Sequence, residues 1–252
     1  MPPQPPPSRT GLARAMSKLG FCSRSRATEL IRMGKVKVNL VVRKNPEFPV
    51  ILKKDVIIMD DVSINQAPRL YVMLNKPRGL VTSASDELGR ETVFSCFENS
   101  KLPHLSPVGR LDKASEGMLL FTNDNVWADT ITNPDTHLDK TYHVQISGTI
   151  DEKRLALIKE GVVDEEQGDH LSAKVIKILR SGEKNMWLEV VLDEGRNRHI
   201  RRLLEAFNIE VLRLVRVKIG MLVLGNLQKG QWRELTKYEV LKSREPQALR
   251  PE

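Results

Sequence analysis

Cysteine is scarce in this 252-residue chain: Cys22 and Cys96 are the only two, and they form no CxxC pair. That argues against a disulfide framework or a cysteine-based zinc site, and it fits a reduced, cytoplasmic setting. No apolar run reaches the roughly 18 residues a membrane-spanning helix needs, so none is expected. The N-terminal MPPQPPPSRT lacks an apolar stretch, so a secretory signal is not expected; an Arg-rich organellar transit peptide is the remaining targeting alternative. His104, His137, His143, His170 and His199 make neither HxH nor HExxH, and no GxSxG or P-loop occurs. Metalloenzyme, serine-hydrolase and kinase readings therefore lack a motif. Acidic residues are also in deficit, 32 against 40 Lys and Arg, which leaves a net charge of +8. That imbalance favours a polyanionic partner, either nucleic acid or an anionic membrane surface.

What is present sorts into two regions and two tails. Residues 1–10 are dominated by proline and are expected to be extended or disordered. Residues 11–64 read as a small module, 65–69 as a polar linker, 70–242 as a larger domain and 243–252 as a C-terminal tail. In the small module Leu12, Ala15, Met16 and Leu19 recur at helical spacing, and Gly20 fits a helix stop. Ser23 or Ser25 fits the cap of a second helix whose apolar side is Ala27, Leu30 and Ile31. Val36 and Val38 then alternate with Lys35, Lys37 and Asn39, as in a half-exposed strand. Short strands are expected at 41–42 and 56–59.

Between Leu12 and Val38 the basic residues are Arg14, Lys18, Arg24, Arg26, Arg32, Lys35 and Lys37, against one acid, Glu29. A solvated helix face also carries charge, but usually of both signs. The one-sided excess reads as a phosphate-binding surface. The stretch LARAMSKLGFCSRSRATELIRMGKVKVN resembles the S4 RNA-binding domain. By position, that resemblance implies RNA contacts from Ser23, Arg24, Arg26, Lys35 and Lys37.

The larger region has strand-like segments at 70–74, 117–122, 141–147, 186–193 and 211–218. Helical segments fall at 126–131, 152–159 and 198–207. The mixture predicts an α+β fold rather than regular βαβ alternation. Four segments carry candidate chemistry. In VGRLDKASEGMLLFTND, Arg110 and Lys113 flank Asp112 and would keep its carboxylate ionised, as a nucleophile or base requires; on spacing alone, a structural Asp that caps a turn or pairs with Arg is the favoured reading. In KTYHVQI, Tyr142, Val144 and Ile146 share one strand face, where a tyrosine commonly serves packing. In EGRNRHIRRLLEAF, Ile200, Leu203, Leu204 and Phe207 form a core stripe, with Arg198, Arg201, Arg202 and Glu205 opposite. This fits an ordinary surface helix or one lying between core and RNA. NKPRGLVTS has the Pro and Gly of a turn.

These four segments, in this order, resemble the motifs of the pseudouridine synthases, in the branch that modifies small- and large-subunit ribosomal RNA. The likeness runs from Leu12 to about Thr236, with departures at Ala114, Asn125 and His199. It implies a small S4-like domain followed by a mixed, largely antiparallel bent sheet with flanking helices. It further implies Asp112 as the essential carboxylate, Arg110 pairing with or positioning it, Tyr142 stacking on the target base and Arg201 reaching Asp112. Lys76, Arg196, Arg198 and Arg202 are read as RNA contacts, and His199 is given no catalytic role. The implied reaction breaks N1–C1′ of a flipped uridine in ribosomal RNA and rejoins the uracil through C5, with large-subunit RNA preferred over small-subunit RNA. Flipping costs about a few kcal/mol. The rearrangement needs no redox partner or energy source, so no cofactor or metal is expected. The expected partner is ribosomal RNA or a ribosome-assembly intermediate, with no membrane and a monomeric enzyme. Asp112 either attacks the sugar or removes a sugar proton; both routes stay open here.

Overall fold

The computed structural model describes residues 9–84, 86–164 and 167–243. The expectations for residues 1–8 and 244–252 lie outside the described residues. The chain divides into two compact units, of which the first holds the residues up to Leu70 together with Asn99–Ser106 and Thr122–Asn125.

The first unit follows its sequence pattern closely. Helices Leu12–Lys18 and Arg24–Arg32 place Leu12, Ala15, Met16, Ala27, Leu30 and Ile31 in one core. Gly20, at φ 77°, ends the first helical stretch in a conformation that favours glycine. Ser23 caps the second helix, its hydroxyl accepting from the Arg26 N–H at 3.2 Å. A four-stranded antiparallel sheet runs in the order Val41–Val42, Val36–Val38, Ile57–Met59, Val62–Ser63. Alternation places Val36 and Val38 in the core and leaves Lys37 half-exposed. The later segments are tied in by polar bonds. Asn123 accepts from the Leu70 N–H at 2.9 Å and donates to the Pro68 carbonyl at 2.8 Å. The His104 N–H reaches the Gly20 carbonyl at 3.2 Å.

The second unit is built on a nine-stranded sheet. Its main path runs Val175–Ser181, Asn185–Leu192, Lys140–Ser147, Val211–Ile219, Glu116–Thr122, Tyr71–Lys76, Trp232–Glu234. The hairpin partners are antiparallel, whereas Val211–Ile219 and Glu116–Thr122 pair in parallel. Every residue of Glu116–Thr122 is buried, which explains why its sequence reads as a continuous apolar run rather than an alternation. Trp127, on helix Asn125–Thr132, anchors one side of the core with Tyr71 edge-on at 4.9 Å and its Nε1 donating to the Ser243 hydroxyl at 2.9 Å. Helix His199–Ala206 buries Ile200, Leu203 and Leu204, as its apolar stripe predicts. The α+β expectation is borne out.

Gly117 sits where the parallel pair closes. Its φ is +100°, and a Cβ there would lie 2.3 Å from the Arg216 carbonyl oxygen and 2.7 Å from the Arg216 nitrogen. Neither strand can yield, because both are central in the sheet. We expect Gly117→Ala to destabilise the protein by at least about 2 kcal/mol, read as a lowered denaturant midpoint; an unchanged midpoint would refute this account of the glycine.

Candidate active site

A cleft of about 570 Å³ opens in the second unit. It is lined by Arg110 and Asp112, by Lys140 and Tyr142 of strand Lys140–Ser147, by the loop 194–198, and by Leu214 and Arg216 of strand Val211–Ile219. Arg110, Lys140, Arg196, Arg198 and Arg216 face only two carboxylates, Asp112 and Glu194, across this lining. Such a surplus in a concave site concentrates polyanions.

The Asp112 loop is held from below by the N-K-P-R-G-L-V-T segment. Lys76 has 0% exposure, and its Nζ donates to the carbonyls of Pro77, Asp112 and Ser115 at 3.1, 3.2 and 2.9 Å. Thr82 adds a bond from its hydroxyl to the Leu111 carbonyl at 2.7 Å, and the Gly79 N–H reaches the Lys113 carbonyl at 2.8 Å. Asp112 accepts the Ser115 N–H with its own carbonyl, which leaves its half-buried carboxylate at the cleft. This corrects the expectation for Lys76: a fully buried ammonium cannot touch RNA, and its work is inside the protein. Burial pushes its pKa down to about 8, against the opposing pull of the Asp112 and Glu116 carboxylates and the Cys96 thiol.

Behind the loop, Glu116 is buried and gripped by Arg213 at 2.9 and 3.0 Å and by Lys229 at 2.5 Å. Burial alone would raise its pKa, but the hydrogen bonds from Arg213 and Lys229 outweigh that and lower it. Arg201 donates to the carbonyls of Ala114 and Val211, both at 3.3 Å, so it joins the loop to the neighbouring strand. Its charge also acts on Asp112. Arg110 departs from expectation. It is exposed at the rim, and no ion pair joins it to Asp112 among the described residues.

Tyr142 is 8% exposed and faces the cleft; Arg216 is its cross-strand partner and so shares its face. Arg216 does not stand out in the sequence, because the pairing of strands some 70 residues apart is not written in local spacing; Lys140 opens the KTYHVQI segment but is given no role there. Among the expected RNA contacts, Arg198 is exposed at the helix entry, in a left-handed conformation at φ 48°. Arg196 is partly neutralised by Glu194 at 2.7 Å and Asp169 at 2.9 Å. Arg202 is a correction: its side chain is 11% exposed and committed to Asp164 and Asp169, so it braces the helix rather than meeting a phosphate. His199 is 3% exposed. Its Nε2–H donates to the Ser172 carbonyl at 2.9 Å, and burial lowers its pKa against the opposing pull of Glu194. It ties the helix start to the strand His170–Leu171 region.

On the first unit, Arg24 and Lys35 are exposed. Ser23 is occupied as a helix cap, Arg26 bonds Glu29 at 2.9 Å and Lys37 bonds Asp61 at 2.8 Å. The last two pairs are exposed and worth little, so a phosphate can replace them.

Comparison with known proteins bears on this arrangement. Residues 70–206 match the RNA pseudouridylate synthase family, and residues 10–57 match the S4 domain. An RNA pseudouridine synthase of Rickettsia typhi is 37% identical over 227 residues, covering 89% of this chain and 91% of the relative. Ribosomal large subunit pseudouridine synthase B of Bacillus subtilis is 34% identical, covering 92% of this chain and 95% of the relative. A crystal structure of a pseudouridylate synthase superposes with a TM-score of 0.64 at 30% identity, over 93% of this chain and 99% of that one.

The three carbonyls that Lys76 satisfies would lose their donor in Lys76→Met. Relief of a buried charge offsets part of that loss. We expect a net destabilisation of about 1–3 kcal/mol by chemical denaturation; a variant as stable as the parent would show that the ammonium does not hold the loop.

Proposed function

The chain belongs to the RNA pseudouridylate synthases, and within that activity we propose that it isomerises a specific uridine of large-subunit ribosomal RNA, with Asp112 as the carboxylate that starts the reaction. The observation that carries the proposal is the convergence of Asp112 and Tyr142 on one cleft whose cations outnumber its acids. The relative from Bacillus subtilis, whose name specifies the large ribosomal subunit, supports the choice of RNA.

Exposed Arg198 and Arg110 at the cleft draw in the phosphate backbone, and Arg24 and Lys35 offer a second contact on the S4 domain. The target nucleotide swings out of its stack, and its uracil lies against Tyr142. Asp112 then meets the sugar. Either its oxygen bonds C1′, or it takes the C2′ proton while C1′ and C2′ form a double bond; in both cases the N1–C1′ electron pair leaves with N1. The uracil turns, C5 bonds C1′, the carboxylate bond or the proton transfer is reversed, and the proton on C5 is lost as N1 gains one. Tyr142 faces the same space and assists that proton movement. Arg201 and Lys76 keep cationic charge near Asp112. Arg110 serves at the rim, on RNA.

Asp112→Asn is expected to cut tritium release from [5-³H]uridine ribosomal RNA by about 10³-fold or more while RNA binding persists. Release at the parental rate would remove Asp112 from the chemistry. Pseudouridine mapping in a strain lacking the protein should show a loss in large-subunit RNA; a loss confined to small-subunit RNA would reassign the substrate.

A further inference from the structure

We propose that Arg216, with Lys140 beside it, binds the departing uracil as its anion and is a catalytic residue of the bond-breaking step. This rests on the Asp112 cleft being the reaction centre. Arg216 is 6% exposed and lines that cleft. Its Nε is occupied by the Met118 carbonyl at 2.8 Å, whereas its Nη2 is buried with no hydrogen-bond partner among the described residues. No ion pair to a carboxylate is made by Arg216 among those residues either, in contrast to Arg196, Arg202 and Arg213. Burying a guanidinium without an anion is unfavourable, so its presence here points to an anionic or carbonyl partner that arrives with the substrate.

Geometry says which part of the substrate. Arg216 is directly opposite Tyr142 in the antiparallel register. Both therefore project to the same face, where the uracil ring is expected. Lys140 lies two residues before Tyr142, on that face, and also lines the cleft. Burial and the Arg216 charge both lower the Lys140 pKa, with Asp193 and Asp139 pulling the other way. The two cations thus crowd one place, and Arg216 has no carboxylate paired to it among the described residues.

The chemistry explains why an arginine suits that place. When N1–C1′ breaks heterolytically, the electron pair stays on the base, and the charge spreads over N1, O2 and O4. The C1′ side is completed by an Asp112 oxygen or by loss of the C2′ proton to Asp112, so charge and atoms balance. The uracil must then turn and use C5 as nucleophile. Protonation at N1 would stop it. A guanidinium does not give up its proton, so it stabilises the anion without quenching it. Donors aimed at developing negative charge in a water-poor site are worth about 10²–10³ in rate.

The test compares the full-length parent with Arg216→Gln, Lys140→Gln and Asp112→Asn in single-turnover assays. Substrate RNA carries either uridine or 5-fluorouridine at the target, and base cleavage is followed by chromatography of nuclease digests. Fluorine stabilises the uracil anion, so a variant lacking anion stabilisation should suffer less with it. Arg216→Gln should be slowed about 10²-fold on uridine, with RNA affinity unchanged, and by about tenfold less on 5-fluorouridine. Equal slowing on both substrates, or an effect confined to affinity, overturns the proposal. If Arg216→Gln does not fold, Lys140→Gln must show the same substrate-dependent difference, and an equal defect on both RNAs overturns it. An active Asp112→Asn protein would instead sink the reading of the cleft itself, whereas an inactive one beside a fully active Arg216→Gln sinks only the role of Arg216.

Discussion

Lys76 is fully buried, and its ammonium is satisfied by the carbonyl oxygens of Pro77, Asp112 and Ser115. Each carbonyl belongs to a turn that has no regular secondary structure to fix it. A single cation that needs several acceptors gathers them around itself, and the loop bearing Asp112 acquires one shape. The arrangement is costly, as the lowered pKa of Lys76 shows. Its return is an Asp112 loop with one fixed shape, as the proposed role of that carboxylate demands. Thr82, Gly79 and Arg201 add further bonds to the same loop, so two separate stretches of chain, 76–82 and the helix bearing Arg201, hold it.

The basic residues divide by what they face. Arg202 and Arg213 are locked against carboxylates and act as struts. Arg110 and Arg198 are exposed at the cleft, where a polyanion can replace water around them. Arg216 belongs to neither group, being buried yet incompletely partnered. A net charge of +8 would not reveal this division; it depends on where acids such as Glu116, Asp164 and Asp169 fall in space.

Much of the site could be read from residues. The apolar stripe of Ile200, Leu203 and Leu204 and the alternation of Val36 and Val38 gave their elements directly, because helix and strand periods are local properties. Asp112 and Tyr142 were recognisable from their motifs. The errors were of another kind. The resemblance of NKPRGLVTS implies an RNA contact for Lys76, yet a motif match says nothing about burial, and the side chain is fully buried. Arg202 was read the same way because its helix face looked solvated, but Asp164 and Asp169 come from a loop more than 30 residues earlier. Arg110 looks like the partner of Asp112 because it lies two positions before it, yet it is exposed at the rim and no ion pair joins the two among the described residues.

By itself the sequence determined the principal helices and most of the central strands, though not the strands Val175–Ser181 and Trp232–Glu234, and which side of each predicted element is apolar. These follow from periodicity and from residue chemistry over a few positions. The tertiary structure alone decided which strands are neighbours and in what register. That decision put Arg216 opposite Tyr142, closed the parallel pair over Gly117 and enclosed Lys76 beneath Asp112. Such pairings bring together residues up to about a hundred positions apart, and their energy comes from burial and hydrogen bonds that exist only once the sheet has formed.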